Sequence, residues 1–238
     1  MGEWLTRLVW DQETLGSIPS FPTSLFTIVK THVIIFVKRI FNMGLFSIFG
    51  SKPTFDKSKF YTNVRTKFQP LAQVQVNGFE AILAATDGQP LSHRAYALAT
   101  AWHETNKTMQ PVREAYWLTE NWRKNNLRYY PWYGRGYVQI TWEKNYARAD
   151  RELNLNGRLL ANADVAMELP VAAGILRKGM DEGWFTGIKL SDYLPAQGGA
   201  ILAQYIKARK IINGTDKANI IAGYASVFEW CLSQAGYK

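Results

Sequence analysis

Two glutamates ten positions apart, Glu104 and Glu114, are the residues of this chain best suited to chemistry. Carboxylates that face each other across a cleft can break a glycosidic bond. One protonates the leaving oxygen while the other activates a water or attacks directly. His103 stands beside the first glutamate. Downstream, the stretch YYPWYGRGYVQITWEKN brings Tyr129, Tyr130, Tyr133, Arg135, Gln139, Thr141 and Asn145 into one short segment. A hydroxyl at Thr141 and an amide at Gln139 are suited to holding a water and a sugar N-acetyl group.

Local structure must then bring the two glutamates together. Leu98, Ala99, Ala101 and Trp102 belong to an apolar, Ala-rich run that favours helix from about Ser92, which places Glu104 near a helix C-terminus. On one straight helix, the ten positions to Glu114 would span about 15 Å, too far for both to flank a single bond. The polar stretch Asn106 to Met109 and the following Pro111 argue against such a helix. A chain that turns there carries Glu114 back across a cleft. Tyr137 to Thr141 alternates like a short strand, predicting Gln139 and Thr141 on one face, and Trp142 to Arg151 returns to helix. Gly134-Arg135-Gly136 alone signals only a tight turn, and the spacings of phosphate-binding and dinucleotide-binding loops are absent.

His-Glu-Thr at 103–105, Pro-Val-x-Glu at 111–114 and Tyr-Gly-Arg-Gly-Tyr-Val-Gln-Ile-Thr-Trp-x-x-Asn-Tyr at 133–146 together resemble the family 19 glycoside hydrolases. That family includes plant-type chitinases and many phage endolysins. The short gap between the glutamates and the lack of chitinase-type cysteines look more like the endolysin branch. The resemblance runs from about Leu71 to the C-terminus. It implies a mainly α, lysozyme-like helical domain with a small β-element beside the catalytic cleft. It also implies a muramidase that hydrolyses the β-1,4 bond between N-acetylmuramic acid and N-acetylglucosamine. Glu104 would be the general acid, its proton held by apolar surroundings. Glu114 would be the base on a water steadied by Thr141, with inversion and a carboxylate separation of roughly 6.5–9.5 Å. His103, Tyr130, Tyr133, Arg135, Gln139, Asn145 and Asn213 would contact or orient the substrate. Tyr129 and Trp132 would join Tyr130 and Tyr133 in lining the cleft. No cofactor and no metal is required.

Other carboxylates are weighed against this pair. Glu120 is the rival second carboxylate, but it lacks the preceding Pro-Val and is expected to face solvent, as are Glu143 and Asp150. Cys231, the one cysteine, lies in the apolar stretch SVFEWCL and reads as a buried thiol. With one cysteine and scattered histidines (His32, His93, His103), neither a disulfide framework nor a zinc site is expected.

The net charge of +9, from 28 basic and 19 acidic residues in 238, points to an anionic partner. No zinc-finger spacing, helix-turn-helix pattern or basic tract points to nucleic acid. Peptidoglycan glycan strands are the expected partner, with an anionic membrane or outer envelope as a further contact for the basic amphipathic segments. The protein is expected to be a monomer.

Residues 1–53 differ in composition. The stretch Thr27 to Ile40 is apolar and basic, but Lys30, His32, Lys38 and Arg39 keep it short of a spanning helix. No small-residue cleavage site follows it. It reads as an N-terminal extension, either an amphipathic surface helix or sequence upstream of a true start at Met43. Residues 54–238 read as the catalytic domain. Synthesis in a bacterial host's cytoplasm, release through a holin pore and action on the wall in the periplasm follow from the endolysin resemblance. A chitinase of the same family and a membrane-disrupting protein are the alternative readings.

Helices are expected from Thr54 or Asp56, over Leu71 to Thr86 with a cap near Asn77, over Ala161 to Lys178 with a break at Pro170, and over Ile201 to Ile212. A closing helix is expected from Ala218 to Leu232, after an Asn213-Gly214 stop.

Overall fold

A computed structural model of the chain describes residues 55–238, and the N-terminal extension with its membrane-surface expectation lies outside them. The described residues are mainly helical, with one small antiparallel sheet. Helix α1 spans Lys57–Lys67, α2 Gln73–Ala85 and α3 Leu91–Glu104. Strand β1 (Val112–Arg113), α4 (Glu120–Asn126), β2 (Arg135–Gly136) and α5 (Glu143–Glu152) follow. The chain then forms α6 (Arg158–Ala161), α7 (Leu169–Glu182), α8 (Leu202–Ala208) and α9 (Ala218–Gln234). Among these elements, none is long and apolar enough to cross a membrane.

The core forms around α3. Every residue from Leu91 to Trp102 is buried, so this helix is apolar all round rather than striped. It packs along α9. Trp102 lies against Phe68, Phe79 and Phe228, with ring centroids 5.2, 5.8 and 6.1 Å away. Only at its last turn does α3 emerge, and there stands Glu104.

Several local expectations hold. Asp56 caps α1 by accepting from the Lys59 amide, and α3 ends at Glu104. Others are corrected by tertiary contacts. Asn77 lies inside α2 and accepts from Gln73, while the N-terminus is closed by the Gln75 side chain reaching back to the Ala72 amide. Pro170 does not break a helix. It sits in the first turn of α7, where its missing N–H is no loss. Asp150 is 6% exposed rather than solvated, because its two oxygens accept from the Gly157 and Leu159 amides and close the turn before α6. Cys231 is buried as expected, and burial pushes its thiol up to about 12.

The β-element is displaced from its expected place. β1 pairs with β2, Val112 opposite Gly136 and Arg113 opposite Arg135, and Ile140 makes an isolated bridge back to Arg135. Residues 137–139 turn instead of running extended, with Gln139 at a φ of 54°. The alternation of Tyr137 to Thr141 reflects a tight hairpin packed on the core, and such a turn can imitate strand periodicity over five residues.

Candidate active site

Glu104 and Glu114 are held in contrasting ways. The α3 C-terminus carries Glu104, where the helix dipole disfavours a carboxylate. Arg209, itself 3% exposed, offsets this by donating from Nη1 to Glu104 Oε1 at 2.6 Å. Arg209 is fixed in turn by donating to the Asp216 carbonyl. The apolar surroundings expected for Glu104 are therefore absent on one side, where a buried guanidinium takes their place. Among the described residues Glu104 Oε2 has no such partner. His103 is half-buried beside Tyr224, and burial pulls its imidazole below the ordinary value against the opposing pull of Glu104. A neutral ring there fits an orienting role.

The turn between the glutamates forms as expected. The Thr105 hydroxyl donates to the Ala101 carbonyl and accepts from the Met109 amide, ending the helix and starting the reversal. Asn106, Lys107 and Met109 all adopt positive φ. The Met109 carbonyl lies so close to Gly78 of α2 that a side chain there would collide with it. β1 then leads directly into Glu114.

Glu114 is fixed by three contacts. Its amide donates to the Gly134 carbonyl at 2.7 Å. Its carboxylate accepts from the Tyr129 hydroxyl at 2.6 Å and from the Gly134 amide at 2.9 Å. The hydrogen bond to Glu114, with burial, pushes the Tyr129 phenol up to about 12, so this group remains a donor near neutrality. A methyl on Gly134 would lie 2.7 Å from Gln139 Oε1 and 3.2 Å from Glu114 Oε2. The bare α-carbon is what lets both side chains approach this spot.

Gln139, Thr141 and Asn145 line one pocket of about 200 Å³, together with Arg148, Trp184, Phe185 and Ile212. Gln139 donates to the Val112 carbonyl, the Thr141 hydroxyl donates to the Gln139 carbonyl, and Asn145 donates to the Thr141 carbonyl. Gln139 thus joins Glu114 to the pocket. Ile212, another lining residue, follows closely on Arg209, the partner of Glu104. Asn213 is exposed immediately beyond it, its amide bonded to the Arg209 carbonyl.

Two expected substrate contacts face inward instead. Tyr133 is fully buried, its hydroxyl bonded to Glu120 and its ring under the Arg135 guanidinium at 3.6 Å. Arg135 is 3% exposed and donates to Asp164, the Pro131 and Tyr133 carbonyls and the Tyr146 hydroxyl. They brace the segment from inside, because a buried guanidinium needs its donors satisfied. Arg113 also bonds Asp164, so one carboxylate ties β1 to β2. Burial alone would raise Asp164, yet the hydrogen bonds from Arg113 and Arg135 outweigh it and hold it below its ordinary value.

Trp132 packs on Tyr146, and Tyr130 stacks on Tyr133 with centroids 6.1 Å apart, leaving it half-buried. Glu120 does not simply face solvent, since it accepts from both Arg123 and Tyr133. Sequence reasoning missed Arg148, Trp184 and Phe185. Arg148 was within reach, lying three positions after Asn145 on the same helix face. The aromatic pair, some forty positions away, was not.

No protein-family model matches the chain, and no curated protein matches it either. Among solved structures it is similar to that of chitinase C from Streptomyces griseus HUT6037, with a TM-score of 0.47 and 17% identity over 79% of each chain.

Proposed function

We propose that this chain is a glycoside hydrolase of the lysozyme type that cleaves the β-1,4 bond between N-acetylmuramic acid and N-acetylglucosamine, acting as an endolysin. One observation carries the reading. Glu114 is fixed by Tyr129 and Gly134 beside Gln139, the residue that opens onto the pocket of Thr141 and Asn145.

Each side chain has a place in the reaction. Glu104 gives a proton to the leaving glycosidic oxygen from Oε2, while Arg209 holds Oε1 and fixes the carboxyl plane. Both contacts to Glu114 are donors, which suits the ionised form that a general base requires. Each carboxylate oxygen keeps a further lone pair for the attacking water. Thr141 spends its proton on the Gln139 carbonyl, so its oxygen is free to accept from that water. Gln139 and Asn145 bond the N-acetyl group. The water adds to the anomeric carbon, its proton passes to Glu114, and the sugar leaves with inverted configuration. The enzyme would be made in the host cytoplasm and would reach the glycan in the periplasm.

The decisive assay is turbidity loss of outer-membrane-permeabilised Gram-negative cells, with mass spectrometry of the released fragments. Wild type is expected to release disaccharide-peptides with a reducing muramic acid end. Glu104→Gln and Glu114→Gln should each lose at least about a hundredfold in rate, the scale of general acid–base catalysis. Variants that lyse as well as wild type would overturn the assignment and turn attention to membrane disruption.

A further inference from the structure

The aromatic residues expected to line the cleft, Tyr129, Tyr130, Trp132 and Tyr133, are all at least partly buried. Tyr116, Trp117, Trp122 and Trp142 are exposed, at 68, 72, 38 and 42%. Exposure alone does not single one out. Tyr116 and Trp117 pack edge to face on each other.

Trp142 is different in three respects. It directly follows Thr141, a residue of the pocket. Its indole meets the Tyr129 ring edge-on at 5.1 Å, and Tyr129 is the residue whose hydroxyl holds Glu114. Its backbone has a φ of 74°, a conformation that non-glycine residues rarely adopt and that tends to occur at functional sites. The strained backbone is fixed by the Trp142 amide donating to the Trp132 carbonyl and by the Asn145 amide donating to the Trp142 carbonyl. A large apolar ring is therefore set against the tyrosine that holds the Glu114 carboxylate, and part of it is left bare.

A cation accompanies it. The Arg128 guanidinium lies 5.3 Å from the centre of the Trp142 ring. Arg128 is exposed and, among the described residues, makes no ion pair. This contrasts with Arg113, Arg123 and Arg135 in the same region, each tied to a carboxylate. A partly bare indole, with a guanidinium over its ring that makes no ion pair among the described residues, is matched by a pyranose ring that carries, or adjoins, a carboxylate.

We infer that Trp142 and Arg128 form a subsite for an acid-bearing sugar, in which the pyranose stacks on the indole and Arg128 pairs with its carboxylate. This rests on the glycosidase reading above and sharpens it. The site would favour the anionic glycan of peptidoglycan over neutral chitin. The stem peptide supplies the carboxylate where it is attached, because the lactyl carboxyl is then bound up as an amide, and the lactyl group supplies it where the peptide is absent.

The test uses the full-length chain with three substrates: intact glycan strands, strands stripped of stem peptides by an amidase, and a neutral chitin oligomer. Steady-state constants are measured for wild type, Arg128→Gln, Trp142→Ala and Trp142→Phe. Binding is measured separately with each change placed on Glu104→Gln, so that turnover does not interfere.

Arg128→Gln is expected to weaken anionic strands about tenfold more than the chitin oligomer, the scale of a charge-assisted contact. High salt should erase that difference. Trp142→Ala should raise KM on every substrate about tenfold, and Trp142→Phe should recover most of it. If the Arg128 effect appears only once the amidase has removed the peptides and freed the lactyl carboxyl, the lactyl group is the partner. If it disappears with them, the stem peptide is. For Arg128→Gln, equal loss on neutral and anionic substrates, or none, would overturn the inference while the glycosidase reading stands. So would a fall in kcat at unchanged KM for Trp142→Ala, which would make Trp142 only a support for Tyr129. If the Glu104→Gln protein binds none of the polymers, the glycosidase reading itself fails.

Discussion

The two carboxylates stand on unlike ground. Glu104 ends a helix buried from Leu91 to Trp102, and its position is inherited from close-packed apolar side chains plus one guanidinium. Glu114 sits in a region of short strands, turns and one seven-residue helix, where hydrogen bonds supply what regular structure does not. Tyr129, Gly134 and the Arg113–Asp164–Arg135 bridge hold that region together. A core fixes the first group by packing, whereas a polar, looped segment fixes the second through its hydrogen bonds. The two sides should fail differently when damaged.

The largest effect on stability is expected on the helical side. Trp102→Ala removes a fully buried indole from the aromatic cluster and should cost about 3–5 kcal/mol, measured as a shift in denaturant midpoint. Turnover by the molecules still folded should be nearly normal. On the looped side the order reverses. Gly134→Ala pushes against Gln139 and the Glu114 carboxylate. It should lower turnover about a hundredfold, since a displacement near 1 Å at the reacting groups can cost that much. Its cost in stability should stay within about 1–3 kcal/mol. The contrast would collapse if Gly134→Ala kept full activity, or if Trp102→Ala left the denaturant midpoint untouched.

The smallest effect expected is a dependence on acid. Asp164 is held below its ordinary value of 3.8, so its contribution to stability is complete above that pH and is lost as pH falls through the lower value in the folded protein. Melting temperatures of wild type and Asp164→Asn should differ most near neutrality and converge in strong acid. The gap should be modest, because the Asp164 side chain is 41% exposed and solvent screens its pairs. A gap that widened on acidification would show that Asp164 does not act as the clamp between β1 and β2.

Parts of this architecture were legible before any coordinates. The Ala-rich run ending at Glu104, the turn before Pro111, the Asp56 cap and the helix after Trp142 all follow from neighbours within a few positions. Those are the distances over which propensity, capping and turn chemistry act. The structure brings Gln139, Thr141 and Asn145 to one pocket, although a turn rather than a pleat brings the first two together. Tyr133, Arg135 and Asp150 were misplaced for one shared reason. Each has a polar group that suits solvent or substrate equally well, and each is drawn inside by partners that composition does not reveal.

The sequence by itself determined where the two glutamates fall relative to their helix and turn, because those placements rest on backbone preferences within a few residues. The tertiary structure alone decided that Arg209 meets Glu104 across 105 positions of chain. It also decided that Trp184 and Phe185 close the pocket of Thr141, and that Trp142 rather than Tyr133 faces solvent. Such contacts depend on how whole helices pack, and burial is a property of the assembled core that no local pattern carries.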